Sequence, residues 1–296
     1  MADKKILILG ATGMLGHTLF TQFFGKDDLD VYATARSAEG LSQWFGPELL
    51  ANIRGGVDAN NPDFIMRFLD DVKPDVVINC IGIIKQLPVS KDPIASISIN
   101  SLFPHKLAAA CSVTGARMIH ISTDCVFSGD KGNYIESDRP DATDLYGRTK
   151  ALGEVDYADC YTLRTSLIGH ELKGNHSLIE WFLRQEGKVP GFTNAIFSGF
   201  PTIEMANIIC NYVIPNNELT GLYHVSSAPI SKYDLLREVA ERYGKKIDIE
   251  PYDGLRCDRS LDSSRFRKVT GYKPPLWPDL VDRMYLGFIR FKDMYK

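Results

Sequence analysis

Apolar residues in the first half of the chain come in blocks, and the blocks have two textures. Residues Lys4–Leu9 end in an aliphatic run with no period-two alternation, the pattern of a strand covered on both faces. A glycine-bearing turn follows at once. Leu15, Leu19, Phe20 and Phe23 then recur at the spacing of a helix with one buried face. Further apolar runs at 30–35, 53–57, 75–80, 117–122 and 159–165 predict strands. Between them, 64–69 predicts a helix ended by Pro74, and 92–114 a long helix stopped by Gly115. Asp144 stands where it can cap another helix, one that displays Tyr146 and Lys150. This alternation of strand and helix predicts an α/β fold built on a doubly wound parallel sheet of the Rossmann type.

Beyond residue 168 the texture changes. Residues 169–200 are polar, glycine-bearing and irregular, with one helix expected around 178–185. Residues 204–213 and Lys232–Tyr243 read as amphipathic helices and 221–226 as a short strand. Residues 251–267 are rich in Asp, Arg and Ser, and a proline stretch surrounds Trp277. The expected division is a dinucleotide-binding domain over 1–168 and a smaller, loop-rich C-terminal substrate domain over 169–296, with part of 196–226 returning to the first.

The polar residues at the strand ends carry the candidate chemistry. Gly10-x-x-Gly13-x-x-Gly16 joins a strand to a helix, and glycines there let backbone N–H groups at the helix start approach a pyrophosphate. That places Gly10, Thr12, Gly13, Met14, Leu15 and Gly16 against a cofactor. The second strand ends at Ala35-Arg36 with no carboxylate for a ribose hydroxyl. A guanidinium there suits a 2′-phosphate, which favours NADPH over the alternative NADH, against the plainer reading of a solvated arginine. Asp58 can accept from an adenine amine or simply cap a loop. Cys80, Ile81 and Gly82 end a strand that should lie beside the cofactor, and Asn100 is either a buried hydrogen-bonder near it or an ordinary helix residue. Thr123 and Asp124 reach the same carboxyl edge. Tyr146 and Lys150, four apart, share a helical face on which an ammonium can stabilise a phenolate. Tyr-x-x-x-Lys is common by chance, so the pair takes its meaning from the glycine turn and strands before it.

Composition narrows the partners. With 296 residues, 44% hydrophobic and 24% charged, and a net charge of -3, the chain is not a dedicated polyanion binder, so no nucleic-acid partner is expected. No apolar run approaches the roughly 20 residues of a membrane span, and the N-terminus enters a strand rather than a leader, so a cytoplasmic protein without a membrane partner is expected. The six cysteines and six histidines show no metal-ligand spacing. Reduced thiols and no metal are expected.

Taken in order, the glycine turn, Thr123 and Tyr146-x-x-x-Lys150 resemble an extended short-chain dehydrogenase/reductase. HISTDCVFSGDKGNYIESD, YGRTKALGE and YTLRTSLIG, then FPTIEMANII and GLYHVSSAPISKYDLL, are similar to segments of dTDP-4-dehydrorhamnose reductases and related nucleotide-sugar reductases. The resemblance implies NADPH-dependent reduction of a nucleotide-linked 4-keto sugar for polysaccharide precursors, and by analogy a homodimer. It implies that Thr123 binds the substrate oxygen, Tyr146 gives the proton, and Lys150 holds the nicotinamide ribose and depresses the tyrosine pKa. Cys125 stands where dehydrating relatives carry an acidic residue, which favours reduction over elimination. Arg259 is the candidate for the substrate pyrophosphate, with a solvated arginine as the alternative. Departures at 79–82, at 83–86 and around 256–262 leave a dTDP-linked deoxysugar and a UDP-linked N-acetylated keto sugar both open. An epimerase of the same superfamily and a non-catalytic, cofactor-binding subunit, like the methionine adenosyltransferase β subunit, are the competing readings.

Overall fold

The structure, a computed structural model, describes residues 3–59 and 61–295. Seven parallel strands form its main sheet: β1 (Lys4–Leu9), β2 (Leu29–Thr34), β3 (Ile53–Arg54), β4 (Val76–Asn79), β5 (Arg117–Thr123), β6 (Cys160–Thr165) and β7 (Gly221–His224). Their spatial order is β7-β6-β5-β4-β1-β2-β3. The chain therefore reverses its direction of travel between β1 and β4, which opens a crevice at their carboxyl ends. In register, Leu9 lies beside Thr34 on one side and Asn79 on the other.

Both faces of the sheet are covered, which accounts for the unbroken apolar run in β1. Ile6 and Ile8 face one core with Leu15, Leu19, Phe20 and Phe23 of α1 (Met14–Phe23). Leu7 and Leu9 face the other, with Ile65 and Leu69 of α2 (Pro62–Val72) and Leu107, Ala108 and Cys111 of α3 (Phe103–Thr114). Burying an aliphatic side chain on each face contributes about 1.5–3 kcal/mol per residue, so every residue of this strand interior supports the sheet.

Several elements differ from the sequence expectation. The strand expected over 53–57 stops at Arg54, because Gly55 packs where a Cβ would come within 2.7 Å of Ala38 and Gly56 takes φ +81. The long helix expected over 92–114 is broken into a turn capped by Asp92, a π-helical turn (Ile97–Leu102) and α3. Pro104 is the cause: it has no N–H for the carbonyl of residue 100, and Phe103 bonds instead to the carbonyl of Ser98, five residues back. A neighbouring helix, α4 (Leu145–Leu152), uses the opening. A Cβ on Gly153, just past its end, would lie 1.9 Å from the Asn100 carbonyl oxygen. The helix expected over 204–213 likewise splits into α5 (Thr202–Ile208) and a π-helical turn.

The C-terminal part adds small sheets. Ile230–Ser231, Ala195–Phe197 and Cys257–Asp258 form one, and Asp248–Tyr252 pairs with Lys188–Phe192 in another. Helices α6 (Lys232–Tyr243) and α7 (Trp277–Arg290) send Leu235, Leu236, Val239, Leu280, Val281 and Met284 into the α1-side core. Chain from beyond residue 168 thus supplies the edge strand β7 as well as part of the core under α1.

Candidate active site

The glycine turn sits at the crevice between β1 and β4. Gly10 takes φ +96 and donates from its N–H to the Thr34 carbonyl at 3.2 Å, so the end of β2 holds the turn. A side chain at Gly16 could not be accommodated, since its Cβ would lie 2.0 Å from the Gly10 carbonyl oxygen. Gly13, exposed and without a side-chain cap, leaves the first-turn N–H groups of α1 open to an anion. Cys80 and Ile81 line the opposite wall: a Cβ on Gly10 would meet both at 3.4–3.5 Å. These features fit the pyrophosphate of a dinucleotide. Leu15 is buried in the core, so of this predicted residue only the backbone can face a ligand. Thr12 and Met14 are half-buried at the turn.

The remaining predicted cofactor residues lie around that crevice. Arg36 is exposed two residues past β2, and Asp58 is exposed beyond β3. Gly82 is exposed and packs near Asn100, whose Oδ1 would lie 3.4 Å from an added Cβ. Asn100 is buried, and its amide binds both backbone groups of Ile83, accepting at 2.8 Å and donating at 3.0 Å, with Thr149 at 3.4 Å. It joins the loop after β4 to α4.

Thr123 and Asp124 leave the end of β5 facing α4. The Thr123 hydroxyl donates to Asp124 Oδ1 at 3.2 Å and accepts from the Cys125 N–H at 3.1 Å, with the Tyr146 phenol beside it. Asp144 caps α4 by accepting from the Gly147 N–H at 3.0 Å. Burial raises its carboxyl, but that bond and the Lys85 ammonium, 3.1 Å away, outweigh burial and hold it below the ordinary value. Gly147 must be glycine because a Cβ would come within 2.2 Å of the Cys125 carbonyl. This close approach sets Tyr146 beside Thr123.

The electrostatics differ from the sequence expectation in one respect. Lys150 Nζ donates to the Ile121 carbonyl at 2.8 Å and lies 3.4 Å from His120 Nε2. It is buried, and burial pulls its pKa down to about 8. Tyr146 is held above its usual value, chiefly by burial. In this arrangement desolvation, not Lys150, dominates the tyrosine.

Arg259 reaches the site from the far part of the sequence. Residues 128–134 and 258–262 zip together: Asp258 donates to Gly129, Tyr134 to Ser260 and Asp262 to Tyr134, all at 2.7–2.8 Å. Phe127 stacks on Tyr134 at 4.0 Å, and both pack with Leu261 in a small core. Arg259 is thereby fixed with Nε donating to the Phe127 carbonyl at 2.8 Å and a guanidinium nitrogen 3.8 Å from Cys125 Sγ. Burial raises Asp124, and the nearby Arg259 charge partly offsets this. Burial also pushes the Cys125 thiol up to about 12.

A polar layer that the sequence reading missed lies beneath these groups. Glu154 binds Arg164 through two bonds, at 2.6 and 2.7 Å, and accepts from Ser122 at 2.7 Å. Arg164 continues to His224 at 3.2 Å and covers the Phe127 ring at 5.1 Å. His120 is fully buried between Asn79, 3.1 Å away, and Lys150. The available signal was a histidine and a serine at 120 and 122, polar residues inside an otherwise apolar strand. Among the described residues no group of His, Cys, Asp and Glu could hold a metal, the six cysteines are free, and no helix is long and apolar enough to cross a membrane.

The family described as RmlD substrate binding domain matches residues 4–285. A dTDP-4-dehydrorhamnose reductase from Mycolicibacterium smegmatis is 27% identical over 250 residues, 81% of this chain and 70% of that protein. Methionine adenosyltransferase 2 subunit beta from Mus musculus is 23% identical over 96% of this chain and 90% of its own. The crystal structure of a dTDP-4-dehydrorhamnose reductase from Bacillus anthracis, in complex with NADP, shares the fold. Its TM-score is 0.76 at 21% identity, covering 96% of this chain and 99% of that one.

Proposed function

The chain belongs to the RmlD substrate binding domain family, and from that premise we propose that it is an NADPH-dependent reductase of a nucleotide-linked 4-keto sugar. The observation that carries the reading is the convergence of Thr123 and Tyr146 at the sheet edge that also bears the glycine turn. A ketone reduction needs an acid and an oxyanion partner held together beside a hydride donor. The reduced nicotinamide, when bound, supplies the hydride to the carbonyl carbon. Tyr146 gives its proton to the carbonyl oxygen, and the Thr123 hydroxyl orients that oxygen. The raised pKa of Tyr146 keeps the phenol protonated until then. Lys150 holds the nicotinamide ribose, and Gly10, Gly13 and Gly16 leave room for the pyrophosphate. Arg36 faces a 2′-phosphate, which favours NADPH.

Reduction is preferred over elimination on the chemistry of Cys125. A thiol pushed up to about 12 stays protonated at neutral pH and does not abstract a proton as a carboxylate would. Residues 169–296, apart from the segments that join the main sheet, form the substrate side, where Arg259 meets the pyrophosphate of the sugar nucleotide. The product belongs to polysaccharide precursor synthesis.

The test is to incubate the protein with NADPH and dTDP- or UDP-linked 4-keto sugars and follow loss of reduced-nicotinamide absorbance. Turnover with one of them is expected. Tight NADPH binding without turnover on any sugar would instead support a regulatory subunit, and tightly bound NAD with sugar interconversion but no net redox would support an epimerase.

A further inference from the structure

Lys150 has a neighbour that no part of the reductase reading uses. His120 lies on β5, fully buried, with both ring nitrogens engaged. The direction of each contact can be fixed from donors alone. The Ile81 backbone N–H can only donate, and it points at Asn79 Oδ1 at 3.1 Å. This sets the orientation of the Asn79 amide, so its Nδ2, which can only donate, faces His120 Nδ1 at 3.1 Å. Nδ1 must accept. A neutral imidazole with an accepting Nδ1 carries its proton on Nε2, and Nε2 faces Lys150 Nζ at 3.4 Å.

An ammonium at that place would oppose donor to donor, whereas an amine offers its lone pair to the Nε2–H. The 2.8 Å bond from Lys150 to the Ile121 carbonyl suits either form, since both carry a hydrogen to give. The other groups facing Lys150 do not reverse the preference. Cys80, past β4, is a neutral thiol pushed up to about 12 by burial. Glu154, beyond α4, favours the ammonium, but its carboxylate is already bound twice by Arg164 and once by Ser122. Tyr146, on the same helix, is protonated. His120 is itself faced by Lys150 and by His105 of α3, and its burial is the main cause that keeps its imidazole neutral.

We propose that Asn79 locks His120 as the Nε2–H tautomer and that His120 thereby biases Lys150 toward its neutral amine, making His120 a positioning residue of the Tyr146–Lys150 site. This rests on the reading of Lys150 given above. It adds that the charge of Lys150 is set by a polar chain running from the loop after β4 through β5 into α4. The charge then responds to pH near neutrality instead of remaining fixed.

Two measurements test it. In full-length protein labelled with 15N-histidine, His120 should show the Nε2–H tautomer across about pH 5–8. An Nδ1–H tautomer or an imidazolium would overturn the proposal, and this needs no variant and no activity. In kinetics, His120→Leu should move the alkaline limb of kcat/KM upward by about one pH unit. His120→Gln, which keeps an acceptor for Asn79 and a donor for Lys150, should bring the limb back. A folded His120→Leu protein with an unmoved limb would also overturn it. Wild-type protein inactive on every keto sugar would refute the reductase reading, while the tautomer measurement would still decide this one.

Discussion

Replacing Lys150 by methionine should make the protein more stable at neutral pH while abolishing its activity. Lys150 is 5% exposed, and burial lowers its pKa from 10.5 to about 8. Between those two values the unfolded chain holds a proton that the folded chain has released. Stability therefore rises with pH across that window and carries the full cost of the buried lysine below it. At about 1.4 kcal/mol per pH unit, the interval corresponds to about 3.5 kcal/mol. Methionine fills nearly the same length without a charge but forfeits the bond to the Ile121 carbonyl, worth about 1 kcal/mol. The variant should thus exceed wild type by about 2.5 kcal/mol below pH 8 and fall about 1 kcal/mol short above pH 10.5. Urea unfolding of both proteins at a series of pH values reads the difference directly, because other groups titrate alike in the two and cancel. A difference that does not change with pH, or one that favours methionine most at alkaline pH, would refute the reasoning.

Other substitutions probe the rest of the site. Tyr146→Phe should lower kcat by roughly two to four orders of magnitude with NADPH affinity little changed, and a retained wild-type rate would remove Tyr146 as the acid. Gly16→Ala forces a methyl to within 2.0 Å of the Gly10 carbonyl. It should cost about 1–3 kcal/mol in thermal or urea unfolding and weaken cofactor binding in a fluorescence titration. Unaltered binding would mean that the turn does not cradle the cofactor. Arg36→Ala should weaken NADPH far more than NADH, and equal losses would withdraw the 2′-phosphate assignment. Arg259→Ala should raise KM for the sugar nucleotide with NADPH binding intact, and an unchanged KM would return Arg259 to a purely structural role on the Phe127 carbonyl.

Much of the site was legible because its parts are local. A strand buried on both faces announces itself as an unbroken apolar run, and β1 is one. The glycine turn depends on residues within a few positions of one another, where the clash between Gly16 and Gly10 is decided by backbone geometry alone. Tyr146 and Lys150 share a helical face at any location, and Asp144 caps that helix whatever surrounds it. The misread elements were also local in cause: Pro104 was in plain view, but its consequence, a π-helical turn, needed a partner to pack into the opening, and Gly153 is that partner.

The sequence by itself therefore determined the Rossmann order of elements, the glycine cradle and the helix that displays Tyr146 and Lys150, since periodicity, glycine conformation and capping act over a few residues. The tertiary structure decided which charges meet. Arg259 reaches Cys125 only because 258–262 pairs with 128–134. Lys150 turns to Ile121 and His120, and Asn79 comes from a separate strand to orient that histidine. Those partners are set by the packing of strands and loops distant in the chain, and burial rather than spacing gives the tyrosine and the lysine their proton affinities.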